Sequence, residues 1–118
     1  MPRDPRPAKS LRVLLLPPDP ALAVLLGLQP DIEVVPSPVQ RPQVALVDSV
    51  AAVEALAAED PECRALVLTG RARPGLPEAA LAAGAAGVVL RDGPVEDLAA
   101  ALRAASTGET VIDPVLDV

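Results

Sequence analysis

The chain has 118 residues and a formal net charge of −6, with 15 Pro, one Cys and no Phe, Tyr, Trp or His. That length is one domain's worth. Without His there is no Ser-His-Asp triad, Cys-His pair or imidazole metal site; the single Cys63 excludes a disulfide and a thiolate zinc cluster; and the missing aromatics exclude a base-stacking platform and an aromatic cage.

Ala, Leu and Val supply 56 residues, which argues against disorder despite the prolines. The charge is unevenly spread. Arg3, Arg6, Lys9 and Arg12 place four of the ten bases in the first twelve positions, and residues 13–118 carry 15 acids against 6 bases. That acidic body repels phosphate backbones and is a poor nucleic-acid binder by itself. Residues 1–10, with Pro2, Pro5 and Pro7, read as a disordered basic arm. The apolar run that follows is broken by Pro17-Pro18-Asp19-Pro20 before a signal-peptide core is complete, and no stretch approaches the ~20 apolar residues of a membrane span. A soluble cytoplasmic protein with one reduced, buried cysteine is expected.

In chain order, Leu11–Leu16 is a candidate strand. Asp19 then supplies an N-cap and Pro20 a first helical position for a short helix over Ala21–Leu28. Ile32–Val35 and Val44–Val47 are the next strands, the latter ending at Asp48. Ser49–Glu59 is a helix with Val50, Val53 and Leu56/Ala57 on one face. Ala65–Leu68 is a fourth strand, ending at Thr69-Gly70. Pro77–Ala83 is a helix with Gly84 at its C′ position, and Gly87–Leu90 is a fifth strand. Gly93-Pro94 opens a last helix, Val95–Ser106, with Glu96 in its first turn and Gly108 just past its end. Val111–Val118 reads as a tail, so that residues 11–107 form the domain and 108–118 begin a linker.

The strands are continuous apolar runs, the mark of strands buried on both faces of a parallel sheet. Five of them alternating with helices predict a doubly wound α/β domain. In such a sheet functional groups gather beyond the carboxyl ends of the strands. Those ends are Pro17-Pro18-Asp19, Asp48, Thr69 and Arg91.

These places carry a resemblance over residues 10–113. The segments Ala65-Leu66-Val67-Leu68-Thr69-Gly70, Ala79–Gly87, Val88-Val89-Leu90-Arg91-Asp92-Gly93-Pro94, Glu96–Leu102 and Gly108-Glu109-Thr110-Val111-Ile112-Asp113-Pro114 resemble response-regulator receiver domains of the NarL/FixJ type. Leu11–Leu16 and Val44–Asp48 are similar to that family's first and third strands. The resemblance implies a flavodoxin/CheY-like sheet of strand order 2-1-3-4-5. It also implies a histidine kinase as phosphoryl donor, Asp48 as the acceptor, and Thr69 and Arg91 as the positions that read the phosphoryl oxygens. DNA contact is implied through a LuxR-like helix-turn-helix domain outside this chain, beyond a linker that begins near Asp113-Pro114.

The chain departs from the family's pattern at specific atoms. The acidic pair that holds Mg²⁺ is replaced by Pro17 and Pro18, which lack a side-chain ligand and an N–H, leaving Asp19 nearby. A weak or absent Mg²⁺ site is expected. Arg91 stands where the family has Lys, and an Asp48–Arg91 salt bridge is one expectation, a solvated rim arginine the other. Asp48 or Ser49 also has a plain role as helix cap, and Thr69-Gly70 is an ordinary turn as well as a switch hydroxyl. The family's aromatic switch position holds Val88.

Between Val35 and Val44 lie eight residues, PSPVQRPQ, too few for a crossover helix. They reach ~26 Å, enough for a ~13 Å return and a sideways step of ~9–10 Å. A polyproline-like tether keeps the second strand parallel, while an antiparallel second strand is the competing topology. The segment from Asp48 to Thr69 lacks the family's usual Met-Pro-containing loop. The missing helix is expected to leave apolar sheet uncovered, and dimerisation through that face or the last helix follows.

Three functions compete at this point: a receiver that no longer uses Mg²⁺-dependent phosphorylation, an ordinary receiver phosphorylated on Asp48, and a stand-alone interaction module. A small α/β enzyme has little support. Gly70-x-x-x-x-Gly75 is followed by Leu76 rather than Lys-Ser/Thr, and Gly84-x-x-Gly87 is too short for a dinucleotide fingerprint.

Overall fold

A computed structural model describes residues 11–71, 73–91 and 93–113; the expected basic arm over 1–10 and residues 114–118 lie outside them. Six strands and four α-helices alternate: β1 (Leu11–Leu16), α1 (Pro20–Gly27), β2 (Ile32–Val35), β3 (Val44–Val47), α2 (Val50–Glu59), β4 (Arg64–Thr69), α3 (Leu76–Ala82), β5 (Gly87–Leu90), α4 (Val95–Ser106) and β6 (Val111–Ile112). They form one sheet of order β2-β1-β3-β4-β5-β6, parallel at every pairing. The expected α/β doubly wound order 2-1-3-4-5 is present. It gains a sixth strand from residues read as tail, so the folded sheet runs past residue 107.

Period-2 alternation divides the core into two layers. Val13, Leu15, Ile32, Leu46, Leu66 and Val89 face α1 and α4, meeting Leu26, Leu98 and Leu102. Leu14, Val35, Ala45, Val47, Val67 and Val88 face α2 and α3, meeting Val53, Leu56 and Ala80. Strands buried on both faces hold mostly apolar side chains, Thr69 at the end of β4 being a buried polar exception, which is why the strands read as apolar runs in the sequence.

Between β2 and β3 there is no α-helix, as expected, and β2 runs parallel to β1. The link is not simply extended. Pro38–Gln40 makes one 3-10 turn, begun by Ser37 Oγ accepting from the Val39 N–H at 3.2 Å and ended by Arg41 at φ 57°. The Arg12 side chain donates from Nε to the Arg41 carbonyl at 2.9 Å, and Gln43 Oε1 accepts from the Arg12 N–H at 2.7 Å, which ties the link to β1.

The sheet face expected to be bare is covered. Leu14 and Val35 are only 2% and 3% exposed and belong to the same cluster as Val53 and Leu56 of α2. Exposed large apolar side chains lie at Val39 in the β2–β3 link, at Leu81 of α3 and, most densely, on and just beyond α1, whose sequence PALAVLLG is hydrophobic all round. A helix of ~10 Å diameter can bury one stripe only. Leu26 is buried, while Val24, Leu25 and, just past the helix, Leu28 are exposed.

Gly87 is required by a close approach. A Cβ there would collide with the Val111 carbonyl on the neighbouring β6. Cys63 is buried, and burial, with Asp60 nearby, pushes its thiol up from 9.0 to about 11. On α4, Arg103 forks onto Asp31, Nε to Oδ2 at 2.7 Å and a terminal nitrogen to Oδ1 at 2.9 Å, and also reaches Gln29 Oε1 at 3.1 Å. The hydrogen bond to Asp31 raises the Arg103 pKa further.

Candidate functional site

The carboxyl ends of β1, β3, β4 and β5 converge, because all four strands run the same way in adjacent register. Each end delivers one of the residues singled out in the sequence. After β1, Pro17 and Pro18 are exposed and Asp19 is half-buried. Asp19 serves two roles at once. Its Oδ1 accepts from the Leu22 N–H at 3.1 Å, capping α1, and its Oδ2 accepts from the Arg91 guanidinium at 3.0 Å.

That second bond corrects the expected Asp48–Arg91 salt bridge: Arg91 pairs with Asp19, 72 residues away. The N-terminal backbone of α1 and a cation both complement the Asp19 charge, so this carboxylate satisfies a cap and an ion pair together.

Asp48 is exposed at the end of β3, and its carboxylate has no hydrogen-bond or ion-pair partner among the described residues. The helix-capping role offered for it falls to its neighbour: Ser49 Oγ accepts from the Ala52 N–H at 3.1 Å. Thr69 is buried, and its hydroxyl is engaged locally, donating to the Arg71 carbonyl at 2.9 Å and accepting from the Arg71 N–H at 3.4 Å. Val88 is fully buried in β5 between Val67 and Ile112 of the adjacent strands, so it has no exposed and buried positions to alternate between.

The donor set is poor for Mg²⁺, which is held through one or two unengaged carboxylates with waters completing six oxygens. Pro17 and Pro18 offer no side-chain oxygen, Asp19 is held by Arg91 and the α1 cap, and only Asp48 remains. Among the described residues no group of three or more His, Cys, Asp or Glu could hold a metal ion. The crevice shared by Pro17, Asp19, Asp48 and Arg91 has a volume of about 10 Å³, roughly one water's worth.

Beside it opens a larger pocket of about 520 Å³, lined by Asp48, Thr69 and Gly70 and by three arginines, Arg71, Arg73 and Arg91. Arg71 and Arg73 were not singled out in the sequence. The signal was available: two bases within three residues, directly after a strand end, in a body otherwise strongly acidic.

No protein-family model matches the chain. Relatives do. The transcriptional regulatory protein DesR of Bacillus subtilis (strain 168) is 33% identical over 114 aligned residues, covering 81% of this chain and 56% of the relative. Among solved structures, the response regulator ChrA of a heme-sensing two-component system superposes with TM-score 0.73 at 25% identity, over 92% of this chain and 63% of that one. The receiver domain of the putative response regulator NarL from Mycobacterium tuberculosis superposes with TM-score 0.70 at 18% identity, over 86% of this chain and all of that domain. The chain spans about half the length of the curated relatives it matches.

A parallel sheet of this order, with an aspartate at the end of its third strand, a threonine at the fourth and a base at the fifth, is the arrangement of response-regulator receiver domains. The chain has that fold, and its sequence is similar to a transcriptional regulatory protein and to a response regulator. No helix among the described residues is long and apolar enough to cross a membrane.

Proposed function

We propose that this chain is the receiver half of a cytoplasmic bacterial transcription regulator, one that signals without Mg²⁺-dependent phosphorylation of Asp48. One observation carries this reading. The single carboxylate left where the family keeps its acidic pair, Asp19, is already bound by Arg91 and by the α1 cap. Releasing it toward a metal would cost both contacts and leave two carboxylates where the reaction ordinarily uses three.

DNA contact falls to a domain outside these residues, since the body of this one is acidic. Self-association is assigned to α1 and the turn after it, where Val24, Leu25 and Leu28 stand exposed together. Light scattering on the chain should show a dimer that Val24→Asp with Leu28→Asp converts to a monomer. A wild-type monomer throughout the micromolar to millimolar range sinks this assignment.

The second reading is an ordinary receiver phosphorylated by a histidine kinase. It draws on the free, exposed state of Asp48 and on Thr69 and Arg91 beside it. Intact mass and amide NMR with acetyl phosphate or beryllofluoride, in excess Mg²⁺, separate the two. The expected result is no adduct and no shifts at Asp48; a stoichiometric adduct overturns the first reading in favour of the second.

A further inference from the structure

The pocket beside Asp48 holds an unusual concentration of charge. Only six bases follow Arg12 in the chain, and three of them, Arg71, Arg73 and Arg91, line this one cavity against a single acid, Asp48. Of the other three, Arg41 and Arg64 line a second pocket with Arg12, where Asp60 and Glu62 offset their charge, and Arg103 is forked onto Asp31. The guanidiniums of Arg71 and Arg73 are exposed and have no hydrogen-bond or ion-pair partner among the described residues.

Their backbone is nonetheless fixed. The Thr69 hydroxyl bonds both the carbonyl and the N–H of Arg71, and the Arg73 carbonyl accepts from the Leu76 N–H at 3.1 Å at the start of α3. The Arg91 N–H donates to the Thr69 carbonyl at 2.7 Å. Arg71 and Arg73, without partners among the described residues, and Arg91, partly engaged by Asp19, thus line the same pocket.

Guanidinium groups are always charged and match the oxygens of phosphate in pairs. The pocket is an open depression of about 520 Å³, which far exceeds a single inorganic phosphate. Three guanidiniums around one depression favour a ligand with anionic oxygens on two centres.

We propose that this pocket binds a small molecule carrying a diphosphate-like group, non-covalently and without a metal, with Arg71 and Arg73 as its principal contacts. The proposal rests on the reading that Asp48 is not phosphorylated with Mg²⁺, and it supplies that reading with an input. Asp48 opposes an anion in the pocket, so binding is expected to tighten when its charge is removed.

The probe is sodium pyrophosphate, titrated into the ¹⁵N-labelled chain with EDTA present and ionic strength held by chloride. Saturable amide shifts at Thr69, Gly70, Arg71, Arg73 and Arg91 are expected. The double variant Arg71→Gln/Arg73→Gln should weaken the affinity at least tenfold while its remaining spectrum reports an intact fold, and Asp48→Asn should strengthen it severalfold. Shifts that grow linearly without saturating, or an unchanged affinity in the double variant, overturn the proposal. So does citrate binding as tightly as pyrophosphate, because the site would then read charge alone. The beryllofluoride experiment is scored separately: an adduct on Asp48 defeats the phosphorylation-free reading whatever pyrophosphate does.

Discussion

The two ends of the sheet are built differently. Around β4, β5 and α4, buried Leu, Val and Ala fill both faces, α4 buries Leu98, Ala99, Ala101, Leu102 and Ala105, and a sixth strand closes over Gly87. Around β1, β2 and α1, a helix is missing from the crossover and another is apolar all round yet mostly exposed. Pro17 and Pro18, at the positions read as the metal-binding acidic pair, lie at this second end as well. Packing needs apolar volume at defined registers, so it constrains the first end tightly. The acidic pair contributes nothing to the core, and prolines can replace it without disturbing a strand.

The largest test of that contrast is truncation. Leu66→Ala or Leu102→Ala should cost ~2–5 kcal/mol in urea unfolding, as buried leucines do, whereas Leu28→Ala should stay within ~0.5 kcal/mol. Comparable losses at both ends would erase the distinction.

Next comes Gly87→Ala. The new methyl must push β6 away, at a cost of ~1–3 kcal/mol. The Val111 and Asp113 amides, which bond Ala86 and Val88 carbonyls, should then lose hydrogen-exchange protection. Retained protection would mean that β5 rather than β6 gives way.

A smaller effect sits at the other end. Asp19→Ala removes a cap worth ~1 kcal/mol and an exposed ion pair worth at most ~1 kcal/mol. Asp19→Asn keeps the capping oxygen and drops the charge, so it should recover most of the loss. If it recovers nothing, the bond to Arg91 rather than the cap dominates.

The last, confined to alkaline pH, is Cys63. Its folded pKa is raised, so the stability linked to it is complete below pH 9.0 and declines as pH rises toward about 11, where the unfolded thiol ionises before the folded one. Stability should therefore fall over that window, and Cys63→Ala should flatten the dependence. The chain has no Tyr and one Lys, so few other groups titrate there.

Much of this was legible in the residues. The bounds of β1, β2, β3, β5 and α4 follow from apolar runs closed by Asp, Pro or Gly; α2 differs by one residue at its start, and α1, α3 and β4 differ by one residue at each end. A two-residue strand such as β6 has no periodicity to detect. The all-round apolar sequence of α1 gave no hint of which face would be buried. At the site, the loss of ligands at Pro17 and Pro18 was visible because it concerns atoms that do not exist. The partner of Arg91 was not, because Asp19 and Asp48 are both carboxylates and only the folded distances choose between them. Arg71 and Arg73 match no expected motif position, and their convergence with Arg91 needs the adjacency of β4 and β5.

The short strands at the margins of the sheet have a consequence for how this protein meets others. A row of unpaired backbone groups invites another chain to add a strand. Here one margin is β6, two residues long, and the other is β2, four residues long, with exposed Glu33 along it and prolines at positions 30 and 36. Proline offers no N–H to a neighbouring strand, and a buried glutamate would be penalised in any extended ladder. Both margins are therefore poor templates for filament growth. Contacts between molecules are left to the helical surfaces.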